Sequence, residues 1–216
     1  MTELQPKLIY VAQRHPRLQP HEFTARWRAH GALGMSLPRW KNVARYVHCD
    51  VLAAPQCAGV LDTTHDGIGI VWHRSPAARA AHLADTSSRE SMERDEEETF
   101  ARPIVDCCIL MHERLLLTPR SGSQAFKLTR LVTAAGPREL QAAAMRERLG
   151  RAGIALQGHV VNMPLPPENG VRWGLDVDCI EELWFDSMDG ALRAAMLLAA
   201  DGSAQILTNE VELYRL

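Results

Sequence analysis

IGIVWHRSPAARAA (residues 68–81) and IEELWFDSMDGALRAA (residues 180–195) set the fold, because the second answers the first element by element. Each begins with a short run that suits a buried strand and carries a tryptophan near its end, Trp72 in one and Trp184 in the other. In the first stretch, Ser75-Pro76 supplies an N-cap followed by a first-turn proline, and AARAAHLA continues as a strong helix former. A strand running into a helix therefore occurs twice, at a spacing of roughly a hundred residues.

Outward from these joins the rest of the chain also reads twice. KLIYVAQR (residues 7–14) is β-rich and is stopped by His15-Pro16. Pro20 suits the first turn of a helix, with Glu22 near its positive end. ARYVHCDVL (44–52) and GIGIVWH (67–73) are the second and third strands, and DCCILMHERLLL (106–117) the fourth. TPRSGSQ (118–124) is a turn-rich linker, after which the order restarts. FKLTRLVTA (126–134) answers KLIYVAQR, and a Gly136-Pro137 stop leads into the helix RELQAAAMRERLGRAG. QGHVVNMP (157–164) answers the second strand and AQILTNEVELYRL (204–216) is the last. The expected class is α+β, with two tandem ferredoxin-like βαββαβ repeats, residues 1–118 and 125–216. A four-stranded sheet with helices on one face needs cover on the other, so the repeats should pack sheet-to-sheet as an intrachain α/β barrel. Strand alternation offers Ile109 and Met111, or Cys108 and Leu110, as the inward set, and leaves that choice open.

Composition excludes several classes. A formal net charge of −2 gives no reason to expect nucleic acid or an anionic membrane as partner. The N-terminal MTELQPKLIY lacks a signal-peptide layout and no apolar run could span a bilayer, so the expectation is a cytoplasmic protein. The five cysteines contain no C-x-x-C pair, which points to neither a disulfide framework nor a zinc site, and Cys107-Cys108 read as packing residues. The nine histidines show neither H-x-E…C-x-x-C nor H-E-x-x-H, so no metal is expected. Gly67-Ile68-Gly69 precedes a strand and does not open a helix, the wrong context for a dinucleotide.

The ordered set KLIYVAQRHPRLQPHEF, WRAHGALG (27–34), VWHRSPAARAA and RDEEETFARP, followed by a strand with Glu113, resembles the EthD branch of the dimeric α/β-barrel superfamily over most of residues 7–117. The second half resembles it only in layout and lacks a counterpart of His30-Gly31, as a degenerate repeat would. The resemblance implies small enzymes and accessory proteins of aromatic, polyketide and xenobiotic metabolism. Some isomerise, cyclise or dehydrate without cofactors, others oxidise, and distant ones bind haem. Ligands of that fold commonly sit between the sheet and the helices of one half.

His30 is the candidate acid/base. It follows Phe23 and Trp27 on one helical face, and a histidine near neutrality can take or give a proton. The plainer reading is a core histidine that bonds a loop carbonyl and fixes a turn at Gly31. Tyr46 and His48 share a face of the second strand and could hold a phenol or carbonyl, with Tyr10 and Trp27 as further substrate-binding positions; the same pattern also describes a half-buried strand. Trp72 and Trp184, being duplicated, read as packing, and Asp95–Glu98 as a solvated face with Phe100 docking the segment. The expected function is a cofactor-independent enzyme acting on a small hydrophobic compound, of isomerase, lyase or oxidoreductase type, with its pocket in the first half. The alternatives are a non-catalytic binding or accessory protein of a catabolic pathway, and a haem barrel with His82 as ligand. Two such barrels can also associate as a homodimer.

Overall fold

In a computed structural model, residues 5–119, 126–133, 138–166 and 174–216 are described. The elements run β1 (Lys7–Ala12), α1 (Pro20–Ser36), β2 (Val43–Val51), β3 (Gly67–His73), α2 (Pro76–Ala84), α3 (Arg89–Thr99), β4 (Cys108–Leu117), β5 (Phe126–Val132), α4 (Arg138–Arg151), β6 (Gly158–Pro164), β7 (Cys179–Phe185), α5 (Met188–Leu198) and β8 (Ala204–Arg215). Local chemistry sets the helix starts. The Gln19 backbone N–H donates to the Glu22 carboxylate at 2.7 Å ahead of α1, and Ser75 and Ser187 each accept a first-turn backbone N–H at 3.1 Å ahead of α2 and α5. Most of the expected linker, from residue 120 onward, and the Gly136-Pro137 stop lie outside the described residues.

The eight strands form one closed antiparallel barrel in the order β1-β3-β2-β8-β5-β7-β6-β4. The expectation of two sheets packed against each other is refined here. The first four strands and the last four meet edge to edge, through ladders between β2 and β8 and between β4 and β6, so no strand edge stays open. The expected fourth strand, 106–117, begins two residues later because Ile104–Cys107 forms a 3₁₀ turn. Helix α3 is a further difference: the acidic run expected to be merely solvated forms a helix that packs against α1 and buries Met92 and Thr99.

The pleat assigns the two faces. Ile9, Val47, Ile68, Ile109, Met111, Ile180 and Ile206 fill the barrel interior, while Cys108 joins Tyr10, Phe23, Trp27 and Tyr46 in the layer beneath α1. Leu128, Leu183, Phe185 and Leu207 meet Met145, Leu149 and the alanines of α5 on the other side.

Because neighbours alternate in direction around the barrel, β1 and β5 run the same way. Lys7 and Lys127, at their starts, therefore share one end of the interior. Lys7 Nζ lies 3.0 Å from Glu182 and 3.2 Å from Glu113, and Lys127 Nζ lies 3.2 Å from Glu210 and 3.9 Å from Glu182. Trp72 and Trp184 donate Nε1–H to Glu113 and Glu210 at 3.2 and 2.7 Å, each beneath its lysine. Both tryptophans thus complete matching ionic clusters, with Glu182 between the two lysines. No helix among the described residues is long and apolar enough to cross a membrane.

Candidate functional site

Helix α1 buries Phe23, Trp27, His30, Gly31 and Gly34 against the sheet and α3. Two glycines of β3 make the floor. A Cβ on Gly67 would lie 2.4 Å from the Trp27 ring and one on Gly69 would lie 1.9 Å from Tyr10 Cζ, so only glycine leaves room for these aromatics. This is the role of the G-I-G run. Gly31 does not end α1, which continues to Ser36; the expected turn there is absent. Helical glycine costs about 1 kcal/mol. Here it allows close approach, since a Cβ would meet Tyr46 Cε1 at 3.2 Å and His48 Cε1 at 3.4 Å.

Tyr10, Trp27, Tyr46 and His48 meet in one hydrogen-bonded chain. Trp27 Nε1–H donates to Tyr10 Oη at 3.0 Å, the Tyr10 and Tyr46 hydroxyls are 2.9 Å apart, and Tyr46 Oη bonds His48 Nε2. The Trp27 and His48 rings stack with centroids 3.7 Å apart. Arg28 closes the chain by donating to His48 Nδ1 and to Asp50, both at 2.5 Å. Guanidinium cannot accept, so Nδ1 of His48 accepts and the imidazole proton sits on Nε2, facing Tyr46. Burial, reinforced by Arg28 and His30, pushes the His48 pKa down to about 2, so the ring is neutral. Burial likewise pushes both tyrosine hydroxyls well up. Arg28 and Trp27, at the two ends, can only donate. Five donor protons thus serve four bonds, and one tyrosine hydroxyl proton has no acceptor within the chain.

His30 lies in the same layer, 4% exposed, but has another partner. Its Nδ1 is 2.6 Å from Asp95 Oδ2 on α3, and its ring meets Phe100 edge-on at 5.0 Å. Asp95, expected on a solvated face, is therefore half-buried and paired, also held by Arg26 at 2.6 Å. Burial lowers the His30 pKa against the opposing pull of Asp95. Burial would raise Asp95, yet hydrogen bonds from Arg26 and His30 keep its carboxyl below the ordinary value. At neutral pH the pair is a neutral imidazole donating Nδ1–H to a carboxylate, which leaves Nε2 as the basic nitrogen. Phe100 docks as expected, 3% exposed.

His82 packs elsewhere, its Nδ1 on the Arg39 carbonyl at 3.2 Å and its ring edge-on to His73. All five cysteines are free and buried. Among the described residues no group of three His, Cys, Asp or Glu side chains is placed to hold a metal.

The second half holds a cleft of about 310 Å³, which departs from the expectation of a pocket in the first half alone. Arg130, Glu181, Arg148 and Asp201 line its polar side, Val132 and Met145 part of its apolar side. Strand register explains the contrast. Tyr10 faces Gly69 across β1 and β3, whereas three residues beyond Lys127, as Tyr10 is beyond Lys7, Arg130 faces Glu181 across β5 and β7. An aromatic ring over glycine in one half corresponds to an ion pair in the other.

Residues 15–103 match the EthD domain family. That match takes in Trp27, Arg28, His30, Tyr46, His48, Gly69 and Asp95 and stops before β4. No curated protein matches the sequence significantly. Among solved structures, the whole chain superposes on an anthrone oxidase-like protein, TM-score 0.60 at 11% identity, covering 97% of this chain and 92% of that one. A protein from Fusobacterium nucleatum described as a monooxygenase gives 0.55 at 7% identity, with 99% and 94% covered. A mutant chlorite dismutase from Candidatus Nitrospira defluvii gives 0.53 at 11%, with 98% and 92% covered. At these identities the likeness is one of fold.

Arg28, Asp50 and Asp95 escaped the sequence reading. Arg28 adjoins the buried Trp27, a hint that its head could reach the same strand, but nothing local pairs α1 with Asp95, 65 residues away.

Proposed function

We propose that the EthD half is a cofactor-independent catalytic unit for a small, largely apolar organic molecule carrying a carbonyl or phenolic oxygen. The observation that carries this reading is the pairing of buried His30 with half-buried Asp95 at 2.6 Å. A carboxylate on Nδ1 orients the ring and stabilises its protonated form, which is how an imidazole is prepared as a general base. The unclaimed hydroxyl proton of the Tyr10–Tyr46 pair supplies the other requirement, a donor for the oxygen on which negative charge develops. Proton transfer beside a carbonyl is common to the isomerase and lyase types and can precede oxidation. Tyr10, Trp27, Tyr46 and His48 bind and orient; His30 moves the proton. The fold shared with proteins described as anthrone oxidase-like and monooxygenase supports a small-molecule role.

On this reading the chain is two tandem ferredoxin-like units, residues 1–118 and 125–216, working in the cytoplasm alone or as a homodimer. The matched Lys7–Trp72 and Lys127–Trp184 pairings favour duplication. A catabolic accessory protein is the second reading, favoured by the packing of Tyr10, Trp27, Tyr46 and His48, all 3% exposed or less.

The test is turnover of phenolic, polyketide-like and lactone compounds. His30→Ala and His30→Gln should each lower turnover by roughly two to four orders of magnitude, because neither side chain exchanges a proton at neutral pH. Asp95→Asn should lower it while leaving the fold intact. Wild-type rates in both His30 variants would remove His30 from the chemistry and leave the accessory reading.

A further inference from the structure

Arg28 follows buried Trp27 on α1, and its guanidinium reaches across to β2, where it bridges two side chains. Nη1 donates to His48 Nδ1 and Nη2 to Asp50 Oδ2, both at 2.5 Å. His48 and Asp50 are two residues apart on one strand and share its face. The Arg28–Asp50 pair is half-buried, at the edge of the layer that holds the fully buried His48 ring. A carboxylate beside an imidazole favours a proton on the nitrogen that lies on its side. With Asp50 alone for company, His48 would carry its proton on Nδ1 and accept the Tyr46 hydroxyl at Nε2. The bonds would then run one way, from Trp27 to Tyr10, Tyr10 to Tyr46 and Tyr46 to His48, with three donor protons for three bonds and none to spare. Arg28 reverses the last of these. A guanidinium has donors only, so Nδ1 presents its lone pair, Nε2 carries the proton, and Tyr46 accepts it. The hydroxyl proton that Tyr46 would have given to His48 is released.

We propose that Arg28 is a positioning residue, which holds His48 as the Nε2–H tautomer and so keeps one hydroxyl proton of the Tyr10–Tyr46 pair free for the reaction. Asp50 is then the anchor of Arg28 and not the partner of His48. The effect on turnover rests on the acid–base reading of the first half, whereas the tautomer is read with no substrate present.

NMR of the full chain labelled with ¹⁵N-histidine tests this, because two-bond couplings from the ring C–H protons tell a protonated ring nitrogen from an unprotonated one. The His48 signals would be identified by their loss in His48→Gln. In the wild type at neutral pH, His48 should be the Nε2–H tautomer. It should stay so in Arg28→Lys, whose ammonium also only donates, and in Tyr46→Phe, which removes the Nε2 partner but leaves Arg28 in place. Arg28→Met removes the donor, leaves Asp50, and should move the proton to Nδ1. On any compound the protein turns over, Arg28→Met should lower kcat roughly a hundredfold with KM little changed, the low end for losing one donor to developing negative charge. Arg28→Lys should recover part of that loss. An arginine that served only the fold would cost stability in Arg28→Met without moving the proton. The proposal is overturned by an Nδ1–H tautomer in the wild type, in Arg28→Lys or in Tyr46→Phe, by an unchanged tautomer in Arg28→Met, or by wild-type kcat in Arg28→Met. If Arg28→Met does not fold, Arg28→Lys and Tyr46→Phe decide it. Wild-type turnover in the His30 variants would instead remove the acid–base reading and leave the tautomer result standing.

Discussion

Replacing Gly69 by alanine adds one methyl group at the most crowded point of the first-half site. The new Cβ would stand 1.9 Å from Tyr10 Cζ, 2.1 Å from Cε1 and 2.3 Å from the hydroxyl oxygen, against 3.4 Å or more for ordinary contact. Restoring contact distance requires the ring to move by about 1.5 Å, the difference between 3.4 and 1.9 Å. The ring has no free direction to take. It is 2% exposed, meets Trp27 and Phe100 edge-on, and is tied by its hydroxyl to Trp27 and Tyr46. Overpacking of this kind costs about 1–3 kcal/mol, and loss of two buried hydrogen bonds adds about 1 kcal/mol each. Gly69→Ala should therefore destabilise by about 3–5 kcal/mol, a large share of the stability of an ordinary domain. Urea unfolding reads this as a lower midpoint at unchanged slope. Tyr10→Ala clears the space, so in that background Gly69→Ala should cost less than about 1 kcal/mol, and the double-mutant cycle should show a coupling of about 2 kcal/mol or more. Additive effects, or a single-variant cost under about 1 kcal/mol, would refute the claim that glycine is there to seat Tyr10.

Acid should unfold the protein earlier than its carboxylates alone would require. His48, His73 and His159 are at most 1% exposed, and burial chiefly pushes their pKa values down to about 2, 3 and 4. Each is neutral when folded but takes up a proton near pH 6.5 when unfolded. Stability is thus fully present above pH 6.5 and falls as pH drops below it, by up to about 1.4 kcal/mol per pH unit per histidine. Urea midpoints measured from pH 7.5 to 4.5 should decline steeply below 6.5; a flat profile down to pH 5 would count against three neutral buried rings. At the barrel end, Glu182→Ala leaves Lys7 and Lys127 with one carboxylate each and should cost about 3 kcal/mol, at the low end for breaking a buried ionic cluster. Glu182→Gln should recover part of this in the same unfolding assay, and equal losses for Ala and Gln would show that the charge dominates.

The elements were legible where local pattern decides them. Ser75-Pro76 starts α2, alternation makes β2 and β3 strands, and Phe23, Trp27 and His30 share one helical face, because helix and strand periods follow from backbone geometry. Tyr46 and His48 were readable as neighbours on one face of β2 for the same reason. α3 was not, since eleven residues with six carboxylates carry little apolar periodicity and are held by contact with α1. The Asp95 partner of His30 was hidden with it.

By itself, then, the sequence determined the alternation of strands and helices, the EthD-like first half, and which of its side chains could do acid–base chemistry. Only tertiary structure decided that Ile109 faces the barrel and Cys108 the helices, that Lys7 and Lys127 share an end with Glu182 between them, and that Arg28 reaches His48. It also decided that the second half has an ionic cleft where the first has packed rings. These depend on register and closure. Residues distant in sequence become neighbours only when eight strands close with fixed offsets, and one step of register would turn each of these side chains to the opposite face of the sheet.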